Sequence, residues 1–588
     1  MKKEAIDYWK KQAKILSWHV KPKKTYRLSN NKNWFPDGLI NVSYNCLDKN
    51  IKKYKNKVAI HFYDKNKNYF RATYGELLNY TCNLCNFLKS RYEIKKLLKF
   101  KVIIYSSASL ETAIAMLACS RMGVHFSVVF EDLSFDAVAQ RARLLNADLF
   151  IVRGKNTNEI DKFVKKKIFK KKNIINLSSL KFIGGLANFD YKHNNFSKKF
   201  SPNNVKSFKN LFTLFTSGST GAPKGITHDN GGYLLYSKLT SLKKFGLTPS
   251  KTILTASDAG WINGHTYALF GPLSIGATTV ILEKPYFTLD QPFLQKILLE
   301  CKISILYLPV TIIRLMKSTF KNKIFSKKLI TLGSMGEPLA YSVGKWFANF
   351  FNLRNKSIIN TYFQTETGGI ICSASYKDSS TKYDHGSCGS PLTKFLGFYL
   401  DEKIMPTEFK IRHLWPGCMK SVINSKKIYQ SYWDKDNNFK LFDTGNISKN
   451  GIIVHGRVDD VINIRGHRIG SGEVEAILLK LPFIKECCAV SINDKFEGSK
   501  FIIFIVKKKK VQNYEKYING RLINFFGNFA VPEKIFILTE LPKTKSGKIL
   551  RRLLREVYIN KKKYNKADYS TILNLKVITE IRNKLNEK

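Results

Sequence analysis

The sequence lacks a hydrophobic run long enough to cross a membrane, since none reaches the roughly eighteen apolar residues that a spanning helix needs. Acidic residues are scarce as well: 44 Asp and Glu stand against 99 Lys and Arg, and the formal net charge is +55. Such a charge is typical of nucleic-acid-binding proteins, but here the lysines are spread along the chain with many asparagines, and no nucleic-acid-binding motif accompanies them. We therefore interpret the charge as a solvated surface shaped by an AT-rich genome, and we expect no specific nucleic acid partner.

The cysteines are scattered, and a targeting segment is also missing. Of ten cysteines, only Cys82/Cys85 and Cys487/Cys488 lie near each other. The first pair falls in the helical pattern 75–88, which favours core packing over a redox or metal pair. The N-terminus has no continuous apolar segment and carries Glu4 and Asp7, so neither a secretory signal nor a transit peptide is predicted. We expect a cytoplasmic protein with reduced cysteines and no membrane attachment.

What the sequence does contain is an alternation of short apolar strands with helices of about a dozen residues, which indicates an α/β fold with a parallel sheet covered on both faces. A length of 588 residues predicts two or more domains. In order, the predicted elements after two short strands at 59–63 and 69–73 are strand 101–105, helix 109–122 ending at Gly123, strand 125–130, helix 135–145 and strand 148–152. The segments 260–282, 329–339 and 358–369 each contain an apolar strand that ends in a small, polar or glycine-containing turn, and ligands of open α/β sheets bind at such turns.

The most informative stretch is LFTSGSTGAPKGITH, from Leu214 to His228. An apolar strand is followed by small residues, three glycines and Lys224, which together predict backbone N–H groups, hydroxyls and one ammonium turned toward a polyphosphate. The loop differs from the P-loop of the NTPases, because Lys224 is followed by Gly225 and the G-x-x-x-x-G-K spacing is absent. A flexible Gly/Ser loop is the plainer alternative.

The segment TSGSTGAPKG resembles the signature loop of the adenylate-forming superfamily, which comprises acyl-CoA synthetases, luciferases and the adenylation domains of peptide synthetases. NWFPDGLINVSYNCLDKNI, from Asn33, is similar to the N-terminal segment of short-chain acyl-CoA synthetases, with the acetyl-CoA synthetases most similar. The resemblance runs from about Trp34 to Arg552. It implies that a carboxylate attacks the α-phosphate of ATP, giving an acyl-adenylate and pyrophosphate, and that the CoA thiol then displaces AMP. The positive electrostatic potential of this basic chain would help to attract ATP and CoA, which are both polyanions.

The resemblance also implies a domain division. GRVDDVINIRGHRIG contains Asp459, which matches the family's hinge. We expect a large N-terminal adenylate-forming domain of layered sheets and helices (1–458) with the ATP and acyl sites. A small mobile α+β lid domain (459–588) would carry the catalytic lysine.

Three residues are expected to carry the chemistry. Lys548, in LPKTKSGKIL, matches the family's catalytic lysine, whose ammonium enters with the mobile domain for one step and leaves for the next. Glu366, in QTETGG, matches the Mg²⁺ carboxylate, with Thr216 beside the phosphates, and Mg²⁺ prefers such oxygen ligands. Without the resemblance, Lys548 would be one more surface lysine and Glu366 a helix cap.

Nucleotide recognition is carried over residue by residue. Asp443 matches the aspartate that accepts from both ribose hydroxyls, with Arg457 beside it, and Arg468 is expected to reach phosphate. Asn360 stands where acetyl-CoA synthetases carry Asp, and its amide oxygen is expected to accept from the adenine amino group. The residues expected to bind ATP are Ser217, Gly218, Ser219, Thr220, Gly221, Lys224, Gly336, Glu337, Pro338, Asn360, Thr361, Tyr362, Phe363, Gln364, Thr365, Asp443, Arg457 and Arg468.

The predicted acyl pocket consists of Ile262, Asn263, Met335 and Phe363, where family acetate pockets have Val, Thr, Val and Trp. The aromatic and the added bulk favour an acid of about two or three carbons, whereas Asn263 would equally suit a small polar acid. Asn263 and Arg465 are the predicted CoA contacts. Arg465 replaces a family serine and would pair with a CoA phosphate or face solvent, and Arg153 stands near a family arginine pair.

The predicted function is therefore an AMP-forming acetate–CoA ligase that uses acetate, ATP, Mg²⁺ and CoA. Three further functions are compatible with the same fold: a propionyl-CoA synthetase, a ligase for another acid of about two to four carbons, and an adenylation domain or luciferase-like enzyme. A basic nucleic-acid-binding protein and a paralogue without catalysis are the two competing hypotheses of a different kind. The further partner expected is a lysine acetyltransferase or deacetylase acting on Lys548, because acetylation removes the charge.

Overall fold

The structure is a computed structural model. It describes residues 3–27, 33–131, 133–153, 157–177, 187–193, 196–216, 223–402, 407–423, 425–458, 461–464, 467–494, 498–509, 511–526, 530–543, 549–559 and 576–586. Within these ranges, no helix is both long and apolar enough to span a bilayer.

Two large sheets form most of the N-terminal part. The first, sheet A, has eight strands in the spatial order Ala187–Phe189, Ile174–Leu177, Leu149–Val152, Lys101–Tyr105, His125–Val129, Asn210–Thr216, Lys224–Asp229 and Ser421–Val422. The second, sheet B, has seven in the order Ile359–Asn360, Thr331–Met335, Ile305–Pro309, Thr252–Thr255, Thr278–Leu282, Val58–Tyr63 and Tyr69–Thr73. Both sheets are mainly parallel, which confirms the predicted α/β class.

One part of sheet A departs from the predicted parallel pattern. Asn210–Thr216 and Lys224–Asp229 pair antiparallel, with Thr216 opposite Lys224. Parallel neighbours need a crossover of about a dozen residues or more, and the loop 217–223 between these strands is shorter than that. The phosphate-loop segment therefore joins the two strands of a hairpin.

The predicted helices of this part form, and their ends have clear causes. Leu110–Met122 begins at Ser109, whose hydroxyl accepts a hydrogen bond from Thr112 N. It ends at Gly123, which has φ of +68°, and a Cβ there would lie 2.5 Å from Val205 Cγ1. Phe135–Leu145 is likewise capped, by Ser134. The predicted stop at Gly123 is confirmed, because a side chain there would be both strained and obstructed.

The remaining helices of the N-terminal part cover the sheets or fill the space between them. They are Lys3–Gln12, Val42–Cys46, Asp48–Tyr54, Tyr74–Arg91, Ile94–Leu97, Thr157–Lys165, Gly231–Lys243, Ile262–His265, Gly271–Ile275, Gln291–Glu300, Val310–Thr319, Tyr341–Phe350 and Lys426–Ser431. Cys82 and Cys85, on Tyr74–Arg91, are buried in the core and form no disulfide. Their predicted role in packing is confirmed.

Smaller strand pairs lie around the two sheets. They are Tyr26–Arg27 with Asn33–Trp34, Leu39–Ile40 with Val205–Lys206, Cys372–Ser373 with Ser390–Pro391, and Asp443–Ser448 with Gly451–Arg457. Phe398–Asp401, Glu408–Ile411 and Phe439–Lys440 form a three-stranded sheet.

The C-terminal part has its own sheet and core. Its strands are Val461–Ile464, His467–Gly470, Ile484–Asp494, Gly498–Lys507 and Lys534–Ile537, and its helices are Ser471–Leu478, Tyr514–Phe526, Arg551–Ile559 and Lys576–Asn586. Hydrophobic clusters built only from residues of this part pack on both faces of the long hairpin. A large N-terminal and a smaller C-terminal domain follow from this separation of cores.

Candidate active site

The site begins at the end of the hairpin in sheet A. Thr216 is the last residue of its strand, and its Oγ1 is buried without a hydrogen-bond partner in the part of the chain that the structure describes. A buried hydroxyl left unpaired costs about 1–3 kcal/mol, so a ligand that bonds to it would recover that free energy. Ser217, Gly218, Ser219, Thr220 and Gly221 lie outside the described residues.

Lys224 and Glu366 meet at one side chain that the sequence did not single out, Tyr432. The Lys224 ammonium donates to the Tyr432 hydroxyl at 3.1 Å, and this hydroxyl donates to Glu366 Oε1 at 2.6 Å. Burial, together with the neighbouring carboxylate, raises the pKa of Tyr432, so the phenol keeps its proton. The structure thus brings the predicted phosphate lysine and the predicted metal carboxylate to opposite sides of one hydroxyl.

The turn that carries Glu366 is fixed by contacts from three directions. His228 Nε2 donates to Thr365 O at 2.7 Å, and burial lowers the pKa of His228 to about 4, so the ring is neutral at pH 7. Met419 N donates to Glu366 O at 2.8 Å. Gly368 ends the turn with φ of +69°, and a Cβ there would lie 2.2 Å from Gly417 O. Glu366 therefore has a defined backbone position before any ligand arrives.

Asp443 forms a second centre, in which two predicted nucleotide residues bind the aspartate. Its Oδ2 accepts hydrogen bonds from the Tyr362 hydroxyl at 2.8 Å and from Gln364 Nε2 at 2.5 Å. Arg457 Nη1 lies 3.7 Å from Oδ1. Burial and the nearby Asp443 charge raise the pKa of Tyr362, which keeps this donor protonated. Tyr362 and Gln364 thus orient the predicted ribose acceptor.

The segment predicted to lie along adenine follows the ends of two adjacent strands of sheet B. Thr361 Oγ1 donates to Ser334 O at 2.8 Å and bonds to the Tyr307 hydroxyl at 2.7 Å. Asn360 is 1% exposed, accepts from Ser334 Oγ at 3.0 Å and donates to Gly386 O at 3.0 Å. Its predicted bond to the adenine amino group remains a prediction, and it requires this amide to change or share its partners.

The neighbouring segment Gly336–Glu337–Pro338 follows the strand Thr331–Met335 directly. Glu337 is ion-paired with Arg314, 2.9 Å from Oε2 to Nη1, and Gly336 has φ of +89°. These contacts fix the course of the segment beside the end of sheet B.

The predicted acyl residues lie where two hydrophobic clusters meet. Phe363 packs against the cluster that contains Ile262 and against the one that contains Met335, and its ring stands edge-on to Tyr267 at 5.7 Å. Ile262 and Met335 are 6% and 3% exposed. Asn263 Oδ1 is buried and, among the described residues, has no hydrogen-bond partner. The ring of Phe363 thus joins the two clusters that contain Ile262 and Met335.

Comparisons with known proteins identify the family of this chain. The family described as "AMP-binding enzyme" matches residues 47–403, which is more than half of the chain. The chain belongs to this family. An "AMP-binding enzyme C-terminal domain" matches residues 473–548, and an "Acetyl-coenzyme A synthetase N-terminus" matches residues 2–46. Together with the relatives described next, these matches confirm the predicted class, a ligase of the AMP-forming acyl-CoA synthetases that uses ATP and CoA as substrates.

Several relatives extend over nearly the whole chain. An acetyl-coenzyme A synthetase of Helicobacter pylori is 34% identical over 93% of this chain and 88% of its own length. One of Campylobacter jejuni is 33% identical over 99% and 93%, and one of Emericella nidulans 31% identical over 98% and 90%.

Solved structures show the same fold. The acetoacetyl-CoA synthetase from Streptomyces lividans has a TM-score of 0.82 at 15% identity, covering 99% of this chain and 92% of its own. An anthranilate CoA ligase in complex with anthranoyl-AMP has a TM-score of 0.75 at 20% identity, covering 88% and 97%.

Some residues that the family resemblance selected have no described side chain. Lys548, Asp459 and Arg465 lie outside the described residues, and of Arg468 only the backbone, in the strand His467–Gly470, is described. Arg153 is described, and it forms ion pairs with Glu111 at 3.1 Å and with Glu283 at 2.9 Å. Its charge is thus already balanced within the protein, which weakens the comparison with the family's CoA-binding arginines.

Sequence reasoning missed Tyr432 and His228. Tyr432 stands in YQSYWDKD, among several aromatics with no spacing that distinguishes one of them. His228 closes the motif LFTSGSTGAPKGITH, but nothing in the motif relates it to Thr365, which lies 137 residues further along the chain.

Proposed function

We propose that this AMP-binding enzyme is an ATP-dependent acetate–CoA ligase. An acetate oxygen attacks the α-phosphorus of ATP, the bond to the bridging oxygen breaks, and pyrophosphate leaves. The CoA sulfur then attacks the acyl carbon, and AMP leaves with the electrons of the acyl–oxygen bond. The observation that carries the choice of acid is the packing of Phe363 against the two clusters that contain Ile262 and Met335, both of which are buried.

The physical argument for a short acid is one of volume. Each further methylene of an acid needs its own space, and a pocket that lacks it discriminates by about 1–3 kcal/mol per methylene. Phe363 is held against two packed clusters and an edge-on tyrosine, so its ring cannot turn aside without disturbing them. The printed names of the relatives, acetyl-coenzyme A synthetases, support the same acid.

Mg²⁺ fits the oxygen donors of the site. The Glu366 carboxylate and the buried hydroxyl of Thr216 are hard ligands of the kind it prefers, and phosphate oxygens would complete its shell. When bound, Mg²⁺ would neutralise charge that develops on the phosphates. The chain's own part is to hold Glu366 on its fixed turn and to place Lys224 beside the nucleotide.

The proposal includes the domain roles. Residues 1–458 would bind ATP and the acid, and residues 459–588 would bring Lys548 to the α-phosphate, with Asp459 as the hinge. Asp443, oriented by Tyr362 and Gln364, would accept the ribose hydroxyls. Arg457 would join at the ribose, Arg468 at phosphate, and Arg465 at CoA.

A screen of acids tests the function. Acid-dependent exchange of pyrophosphate into ATP should be fastest with acetate among acetate, propionate, acrylate, lactate and butyrate, and acetyl-CoA and AMP should form in equal amounts. Exchange fastest with butyrate would contradict the assignment of acetate, and a product that needs no CoA would indicate an adenylation domain or luciferase-like enzyme.

Lys548→Ala tests the division between domains. We expect it to abolish acyl-adenylate formation and to leave CoA transfer from supplied acetyl-adenylate largely intact, and acetylation of Lys548 should have the same effect because it removes the charge. An equal loss of both half-reactions would mean that Lys548 supports structure.

A second candidate function, a ligase for a small hydroxy acid, is favoured by one observation. Asn263 Oδ1 is buried and unpaired within the described ranges, and a substrate hydroxyl would satisfy it. A site built to bond a hydroxyl rejects the analogue without it by large factors, because its own polar group is left unpaired. Lactate exchanging faster than propionate in the same screen would decide for this candidate.

A further inference from the structure

Tyr432 occupies the meeting point of three segments that the function uses. Its hydroxyl lies between the Lys224 ammonium and the Glu366 carboxylate, at 3.1 Å and 2.6 Å. Its ring stands edge-on to Phe442, at 5.3 Å and 84°, and Phe442 immediately precedes Asp443. The side chain thus contacts the phosphate-loop strand, the carboxylate turn and the ribose segment at once.

The ring is held rigidly, so the hydroxyl has little freedom. It stacks on Phe439, with centroids 5.7 Å apart and planes inclined by 20°, and the residue is 3% exposed. Lys440 N donates to Tyr432 O at 2.8 Å, which fixes the backbone as well. A phenol clamped in this way sets where its two partners can stand, because a hydrogen bond weakens steeply outside its preferred distance and angle.

The Tyr432 hydroxyl accepts one hydrogen bond and donates the other, and the charges of its two partners fix this order. The ammonium can only donate and the ionised carboxylate can only accept, so a single protonated phenol accepts from one and donates to the other. Both bonds involve a charged partner, which makes each stronger than a bond between neutral groups. The neutral phenol therefore fixes the positions of the two opposite charges relative to each other.

We propose that Tyr432 is a positioning residue for adenylation, whose hydroxyl presents Glu366 to Mg²⁺ and Lys224 to the nucleotide phosphates. This rests on the proposed function, since it assumes that Glu366 and Lys224 act on MgATP. Without the hydroxyl, the Glu366 carboxylate and the Lys224 ammonium would have to be ordered each time MgATP binds. The affinity for MgATP would therefore fall, and the affinity for the acid would not.

Tyr432→Phe tests this, because phenylalanine keeps the ring and removes only the hydroxyl. We expect the KM for MgATP in pyrophosphate exchange to rise about tenfold, as a charge-assisted hydrogen bond predicts, and the Mg²⁺ concentration for half-maximal rate to rise with it. The KM for the acid and the rate of CoA transfer from supplied acyl-adenylate should stay at parental values.

Tyr429→Phe is the matched control. Tyr429 lies on the adjoining helix Lys426–Ser431, is half-buried and packs against Trp433, with ring centroids 6.1 Å apart. The Tyr429→Phe variant also loses one phenol hydroxyl from this region, but that hydroxyl does not bond to Glu366 or Lys224. Its KM values should therefore not change.

Two results would overturn the role of Tyr432: parental KM and Mg²⁺ dependence in Tyr432→Phe, or a lowered Tm and kcat with an unchanged KM, which would mark a structural residue. If the parent protein exchanges pyrophosphate with no acid, the proposed function fails, and calorimetric binding of MgATP to the parent and to Tyr432→Phe still decides this inference. Equal affinities would then refute it, and a roughly tenfold weaker binding by the variant would support it.

Discussion

Asp443 and Glu366 are two buried carboxylates in one site, 7% and 9% exposed, and the protein holds them in opposite ways. Asp443 accepts from the neutral donors Tyr362 and Gln364, and its cation, Arg457, stands 3.7 Å away. Glu366 shares the Tyr432 hydroxyl with the cation Lys224. We call these the ribose centre (Asp443, Tyr362, Gln364, Arg457) and the phosphate centre (Glu366, Tyr432, Lys224).

The difference corresponds to what each centre would bind. Ribose hydroxyls are neutral and need an acceptor in a fixed orientation. The neutral donors Tyr362 and Gln364 orient the Asp443 carboxylate through Oδ2 without cancelling the charge of the carboxylate. Phosphates and Mg²⁺ are charged, so the phosphate centre needs a cation and an anion that can each take up a charged partner. A neutral phenol between them keeps both in place.

The largest effect should come from Glu366→Gln in the phosphate centre. The amide keeps the shape but removes the charge, and we expect pyrophosphate exchange to fall at least about a hundredfold, the range seen when an electrostatic contact to a developing charge is lost. Exchange rate and Tm are the measurements. A rate within about threefold of the parent, at unchanged Tm, would show that Glu366 acts only through its turn and that the two centres do not differ as described.

Asp443→Asn should have the next largest effect, confined to the ribose centre. Losing a charged acceptor costs about 1.5–3 kcal/mol, so the KM for ATP should rise by about ten- to a hundredfold. The Mg²⁺ concentration for half-maximal rate should stay parental. If it rises as it does in Tyr432→Phe, the two centres work as one.

Phe363→Gly should leave both centres intact and change only the acid. Removing the ring at the meeting point of the two clusters frees space for several methylenes, and the ratio of kcat/KM for butyrate to that for acetate should rise about tenfold or more. The Mg²⁺ concentration for half-maximal rate serves as the internal control and should stay within about twofold of the parental value. A parental chain-length profile would mean that the acyl space lies elsewhere.

Tyr362→Phe should have the smallest effect. It removes one of the neutral donors to Asp443. Because Gln364 still donates to the same oxygen, we expect the loss to be about 1 kcal/mol, less than an unsupported bond to a charged group is worth, so the KM for ATP should rise about fivefold. Tyr74→Phe is the matched control, since it removes another buried hydroxyl, one that donates to Ala277 O at 2.6 Å. Equal KM values in the two variants would show that the neutral donors do not orient Asp443.

The α/β class, the elements from Lys101 to Val152 and the family were predictable from the sequence. Strands and helices there follow from apolar periodicity, and the helix stop follows from a glycine that alone tolerates φ of +68°. Glu366 and Asp443 were predicted because their short motifs resemble those of the family, and Lys224 because it closes a loop of small residues suited to a polyphosphate.

The antiparallel hairpin and the partners of each site residue were decided by the tertiary structure. Tyr432 is 208 residues from Lys224 and 66 from Glu366 along the chain, and no local pattern relates residues so far apart. Hydrogen bonds between distant segments depend on how sheets and turns pack, and packing is fixed by the whole core. The sequence alone therefore determined which groups the chemistry requires, and only the folded chain decided that a phenol joins the lysine to the glutamate and that a tyrosine and a glutamine orient the aspartate.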